Sequence, residues 1–197
     1  MLDKRSLARL IDSLPTFREP KLRLEQYVTP GDVVATIVWS SFMRGELGAG
    51  WAVDLGCGTG RFAYAITALG GRAVCLDIDV DALRIARELG LDVAVCDARM
   101  PCAKAGVIVF MNPPFGVWKT HADLEFLRGA SKIADIIYSI HKRTTQQFIE
   151  RAAAQLGYRA EVIEIAYIPI PPMYRHHRKW RHKVEATVFR FQRTSGY

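Results

Sequence analysis

The chain has 197 residues, half of them hydrophobic and about a quarter charged, enough for one domain with a substantial core. No apolar run approaches the roughly 18 residues of a membrane span. The opening Met1-Leu2-Asp3-Lys4-Arg5 has no apolar signal core, so the expectation is a cytoplasmic chain without a membrane segment. A net charge of +7 and a pI of about 9.4 lean toward a polyanionic partner such as nucleic acid without deciding it.

In chain order, Leu7, Leu10, Ile11 and Leu14 follow helical spacing, and Pro15 closes that helix. Pro20 to Pro30 reads as extended, and Asp32 to Phe42 as a second helix. From Trp51 the pattern becomes strand, turn, helix. Strands are expected at Trp51–Leu55, Arg72–Leu76, Asp92–Cys96, Val107–Met111 and Ile136–Ser139, with helices at Arg61–Leu69, Val80–Leu89, Asp123–Ser131 and Thr144–Leu156. Alternating apolar strands and amphipathic helices imply a mostly parallel twisted sheet covered on both faces. Ala160–Ile168 and Val184–Phe191 are strands with only a Pro-rich basic loop between them, so they should pair antiparallel. The expected fold is α/β, Rossmann-like, with a C-terminal antiparallel pair. It is read as one domain over residues 1–197, in which residues 1–50 form a helical lid segment and 51–197 the core.

Four cysteines, Cys57, Cys75, Cys96 and Cys102, form no Cys-x-x-Cys pair. Three fall in or beside strand-like runs, so they read as free thiols in a reducing compartment, and no metal site is expected. Asparagine occurs once, at Asn112, and scarce Asn and Gln suit a thermophile.

The first strand turns into its helix through Asp54-Leu55-Gly56-Cys57-Gly58-Thr59-Gly60. Strictly alternating glycines after an acid depart from the Gly-x-Gly-x-x-Gly spacing that binds a dinucleotide pyrophosphate, which disfavours a nicotinamide oxidoreductase. A carboxylate at that strand tip repels phosphate but attracts an ammonium group such as that of methionine. Asp77, at the tip of the second strand, is placed to accept both ribose hydroxyls, and Asp97, followed by Ala98, to meet an adenine amino group. Solvated turn residues or helix caps are the plain alternative for each acid alone. Together with the glycine turn they specify a nucleoside cofactor.

The fourth strand runs into Asn112-Pro113-Pro114-Phe115. Two prolines remove two N–H donors and leave carbonyls free. With the Asn112 side-chain oxygen and the Phe115 ring, the turn offers acceptors and an aromatic face. That suits an exocyclic amine such as adenine N6, whose lone pair is delocalised: the acceptors hold its two hydrogens while the ring stacks on the base.

These residues resemble the amino methyltransferases whose motif is Asn/Asp-Pro-Pro-Phe/Tyr. The chain more closely resembles the small methyltransferase-like enzymes of archaea and eukaryotes that make N6-methyladenosine in small-subunit ribosomal RNA. The match runs over nearly the whole chain, through Leu24-Glu25-Gln26-Tyr27-Val28-Thr29, Asp77-Ile78-Asp79, Asn112-Pro113-Pro114-Phe115-Gly116 and Tyr138-Ser139-Ile140-His141-Lys142. The resemblance implies S-adenosylmethionine as cofactor. It also implies that Gln26 and Thr29 close over it, joined by Gly56, Thr59, Arg61, Asp77, Asp97 and Ala98. The eukaryotic members depend on a small zinc-binding activator subunit, so a comparable partner is expected. Thr59 and Arg61 depart from the family pattern, as does a His- and Trp-rich basic segment after Pro172.

That segment carries Arg175, Arg178, Lys179, Arg181 and Lys183 with Trp180 among them and no acid. Cations interleaved with aromatics suit single-stranded RNA, a solvated hairpin being the alternative. His141 and Lys142 read as a further phosphate contact or a strand-end cap. Rival acceptors for the same chemistry are guanine N2, adenine in DNA and a protein glutamine, and a non-catalytic RNA-binding subunit is the rival of another class.

Overall fold

A computed structural model describes residues 2–48, 50–116, 121–170 and 182–194. Seven strands form one sheet in the order β3-β2-β1-β4-β5-β7-β6. They are β1 (Trp51–Leu55), β2 (Arg72–Asp77), β3 (Asp92–Val95), β4 (Val107–Met111), β5 (Ala134–Lys142), β6 (Tyr158–Ile170) and β7 (His182–Arg193). The first five run parallel, with Val53 opposite both Val74 and Val109, and Met111 opposite Ser139. β7 lies antiparallel to β5 and to β6, with His141 opposite Thr187. The expected Rossmann-like sheet with an antiparallel end is the one observed.

Six α-helices cover the sheet: α1 (Lys4–Asp12), α2 (Gly31–Met43), α3 (Arg61–Ala68), α4 (Val80–Glu88), α5 (Ala122–Ala130) and α6 (Gln146–Gln155). Alternation along the strands sorts the side chains into two layers. Ala52, Phe110 and Tyr138 join α1–α4 in one apolar cluster; Val53, Val109 and Ile137 join α5 and α6 in the other. α2 is apolar almost all round, as its burial requires: Val33, Val34, Ile37 and Val38 are covered, packed with Leu7 and Ile11 of α1.

Several elements differ in extent from the sequence pattern. β5, β6 and β7 run two or three residues past their expected bounds at both ends. The cause is pairing: β7 hydrogen-bonds on both edges, and its ladder with β6 continues from Tyr158 to Ile170 beyond the end of β5. α1 stops at Asp12, before Pro15, with Ser13 as its cap. Among the described residues no helix is long and apolar enough to cross a membrane.

Candidate functional site

β1 and β4 are neighbours, yet the helices after them go to opposite faces: α3 to one cluster, α5 to the other. The chain therefore parts at their carboxyl ends and leaves a crevice, where open α/β sheets bind ligands. A cavity of about 230 Å³ occupies it.

The cofactor end is built on buried acids. Asp54 lies at the end of β1, 1% exposed, and accepts the Ala63 N–H of α3 at 3.0 Å. Burial pushes its carboxyl up to about 7; the helix N–H groups of Ala63 and Phe62 oppose the push and nearby Asp77 adds to it. Asp77 accepts N–H bonds from Gly58 and Asp79, both at 2.8 Å, so it also ties the glycine turn to the tip of β2. Burial raises its pKa as well, against those same bonds. Asp97 lies across the cavity with its carboxylate held by Arg99 Nε at 2.9 Å.

Of the residues expected to bind cofactor, Gln26, Thr29, Asp54, Gly56, Gly58, Thr59, Arg61, Asp77, Asp97 and Ala98 all line this cavity. Gly60 does not. A Cβ there would meet Leu91 at 2.6 Å and Ala86 and Cys75 at 3.1 Å, so Gly60 serves close helix–strand packing at φ +85°. Gly56 and Gly58 do face the site: a Cβ on them would strike the rings of Phe126 at 2.6 Å and Phe17 at 2.7 Å.

A strap from Phe17 to Pro30 crosses the cavity, and Phe17 with the stretch from Arg23 to Thr29 lines it. Its latch is Asp79, the N-cap of α4, with a carboxylate that pairs with Lys21 Nζ and accepts from Gln26 Nε2. Burial would raise the Asp79 pKa, but the Lys21 and Gln26 bonds outweigh it and hold the carboxyl below its usual range. Gln26 Oε1 accepts the Lys21 N–H at 2.7 Å, so this amide is committed to holding the strap down. Arg61 sends Nη1 toward the Thr29 carbonyl at 3.4 Å from beneath.

At the acceptor end Asn112 Nδ2 donates to Thr29 Oγ1 at 3.0 Å. Asn112 lines the cavity, and its Oδ1 is buried with no partner among the described residues. Pro114 joins that wall, whereas Pro113 and Phe115 do not. Phe115 is 5% exposed and packs at 44° on Tyr27, ring centroids 5.3 Å apart. The aromatic rings that line the cavity are Phe17, Tyr27, Phe62 and Phe126. Nothing local in the sequence marked Phe17 or Phe126, which come from the strap and from the middle of α5.

The basic residues divide. Lys142 ends β5 partly exposed, and Lys183 opens β7 exposed. Arg175, Arg178, Lys179 and Arg181 lie outside the described residues. His141 is wholly buried, which corrects its expected place as a surface phosphate contact. β5 pairs with β7 as far as Lys142, and its inner side chain at His141 lies edge-on to Phe189 and Phe191, so the residue before a partly exposed Lys142 still points into packed protein.

An acid raised by burial, a buried acceptor without a donor among the described residues and a glycine turn beneath aromatic rings fit a cationic amino-acid–nucleoside conjugate. Residues 53–156 match the family model described as a methyltransferase domain. The chain is 31% identical over 209 residues to the rRNA N(6)-adenosine-methyltransferase Mettl5 of Drosophila melanogaster, covering 97% of each. The crystal structure of protein PH1948 from Pyrococcus horikoshii superposes with a TM-score of 0.89 at 33% identity, covering 98% of this chain and 99% of that one. Magnesium protoporphyrin IX methyltransferase from Synechocystis, solved with bound S-adenosylmethionine, shares the fold at 12% identity and a TM-score of 0.64, over 82% and 78% of the chains. The chain belongs to the methyltransferase-domain family, and S-adenosylmethionine is its methyl donor.

Proposed function

We propose that this enzyme methylates N6 of adenine in RNA, with small-subunit ribosomal RNA as the substrate class. The observation that carries the reading is the Asn112 side chain, which lines the cavity: its nitrogen is engaged by Thr29, and its oxygen is buried without a partner among the described residues. An exocyclic amine brings two hydrogens that need such acceptors. Asn112 Oδ1 takes one and a backbone carbonyl of the turn the other, a pairing that favours a pyramidal nitrogen with its lone pair exposed. When bound, S-adenosylmethionine supplies an electrophilic methyl group on a cationic sulfur and leaves as a neutral thioether. Asp54 and Asp77 anchor its amino and ribose groups, and the strap excludes water.

The name of the Drosophila relative, which specifies ribosomal RNA and adenosine N6, supports this acceptor over guanine N2, DNA adenine or protein glutamine. Lys142 and Lys183, with the charge of Arg175, Arg178, Lys179 and Arg181 in the sequence between β6 and β7, would supply backbone neutralisation for an RNA strand. A small zinc-binding activator subunit is the proposed partner. Ile78, Val95 and Met100, each more than half exposed, give the free β3 end of the sheet an apolar surface for it to cover. The test is incubation with labelled cofactor and unmodified small-subunit ribosomal RNA, followed by mass spectrometry of the nucleosides. N6-methyladenosine supports the reading; label only in N2-methylguanosine or in protein sinks it.

A further inference from the structure

Beside the acceptor turn lies a buried polar relay that the chemistry described above leaves unused. Ser139 and His141 on β5 have no exposed surface, and Asp123, in the first turn of α5, is 8% exposed. Ser139 Oγ lies 2.8 Å from His141 Nε2, and Asp123 Oδ2 lies 3.5 Å from His141 Nδ1. A carboxylate can only accept, so Nδ1 carries the proton and Nε2 takes the Ser139 O–H. Asp123 Oδ1 in turn accepts the Leu124 N–H at 2.9 Å. Every member of the relay is satisfied.

Packing alone does not require this arrangement. The His141 ring sits edge-on to Phe189 and Phe191, with centroids 6.0 and 6.3 Å away, surroundings that would accept a phenylalanine. Burying an imidazole and a carboxylate there is costly unless their bond does something that an apolar contact cannot. Its location indicates what. Met111 pairs with Ser139, so the relay continues the ladder beside the Asn112 turn. The left-handed His121 before α5 provides no side-chain cap, so the Asp123–His141 contact is a polar tether from that first turn to the sheet. That turn and the residue after it bring Ala122, Glu125 and Phe126 to the wall of the cavity that Asn112 and Pro114 also line.

We propose that His141 is a positioning residue for the acceptor: through Asp123 it holds the first turn of α5, and with it Phe126 and Glu125, at the working distance from the Asn112 turn. The inference rests on the reading that the acceptor enters at that turn. An apolar residue would fill the same space but leave the turn free to shift along the sheet.

The experiment compares H141F, H141N and S139A with wild type. The readouts are transfer to in vitro transcribed small-subunit ribosomal RNA, calorimetric affinity for S-adenosylhomocysteine, and amide hydrogen exchange over residues 122–127. H141F should bind the homocysteine product within about twofold of wild type, yet lose about tenfold or more in kcat/KM for RNA, the effect of one lost hydrogen bond to a charged group. Exchange in the first turn of α5 should rise. H141N, whose amide nitrogen can replace Nδ1, should recover most of both. Wild-type kcat/KM and unchanged exchange in H141F overturn the proposal, as does a parallel loss of product affinity and melting temperature that H141N fails to rescue. If H141F does not fold, S139A decides by the same readouts, since it leaves the ring in place and removes the bond at Nε2 that holds its other edge toward Asp123. Should wild type methylate no RNA, the substrate reading fails. The exchange comparison then decides alone: faster exchange at α5 in H141F with rescue by H141N upholds the tether, and unchanged exchange overturns it.

Discussion

The two ends of the crevice solve opposite electrostatic problems. At the cofactor end the groups are acids: Asp54 and Asp77 face the cavity and Asp79 latches the strap above it. At the acceptor end the turn itself is neutral, made of an amide, two prolines and a ring. The difference follows from the reactants. The methyl donor is cationic, so buried carboxylates gain by facing it. The proposed acceptor, an exocyclic amine, is uncharged and brings two N–H donors, so neutral acceptors at the turn suffice to hold it.

Exchanging the characters of the two ends should be most damaging where bonds form. Asn112→Ala should lower single-turnover transfer by about 10²–10³-fold at saturating RNA and cofactor, because the amide oxygen bonds more strongly as charge develops on the amine. Wild-type transfer under those conditions would remove Asn112 from the chemistry. Asp77→Asn makes the cofactor end neutral while keeping the side chain's shape. With charge-assisted bonds worth about 1.5–3 kcal/mol each, affinity for S-adenosylmethionine should fall by about 10–100-fold, read by calorimetry. Asp77→Ala would be harder to read, since the same carboxylate holds the Gly58 and Asp79 N–H groups.

A subtler difference is pH dependence. The raised Asp54 carboxyl, at about 7, is neutral in acid and is ionised by a cationic ligand. A raised acid pKa means that the empty protein loses stability as pH climbs from the unfolded value near 4 through 7. For cofactor binding the sign is reversed: affinity should increase between pH 6 and 8, with uptake of cofactor releasing up to one proton. Titrations in buffers of different ionisation heat measure that proton, and Asp54→Asn should abolish it; a proton count unchanged in that variant would assign the linkage elsewhere. The smallest effect concerns the strap. Lys21→Ala removes partly exposed pairs to Asp79 and Asp81 and should speed cofactor release by a few-fold at most, visible in stopped-flow chase and diminished in high salt.

Much of this was legible in the sequence because it is local. Strand, turn and helix alternate in the residues themselves, and each acid at a strand tip follows its own apolar run. Asn112 stood out as the chain's lone asparagine after such a run. What was hidden is contact between distant segments. Phe126 gains meaning only when α5 folds over Gly56, and Asp79 only when residues 21 and 26 reach it across more than fifty positions. Phe115 read as an open stacking face, because a motif does not show that Tyr27 covers it. Gly60 read as a ligand-facing glycine, because spacing cannot distinguish a Cβ that would strike a cofactor from one that would strike Leu91.

The hydrogen bond from Asn112 to Thr29 has a kinetic consequence. Thr29 belongs to the strap, so the orientation of the Asn112 amide is tied to the segment that covers the cofactor cavity. If that segment lifts to exchange donor, the amide is released with it and set again on closure, and the expected order of binding is donor first, acceptor second. S-adenosylhomocysteine should then inhibit competitively against S-adenosylmethionine and not against RNA, and an acceptor that arrives early would meet an unset amide and wait.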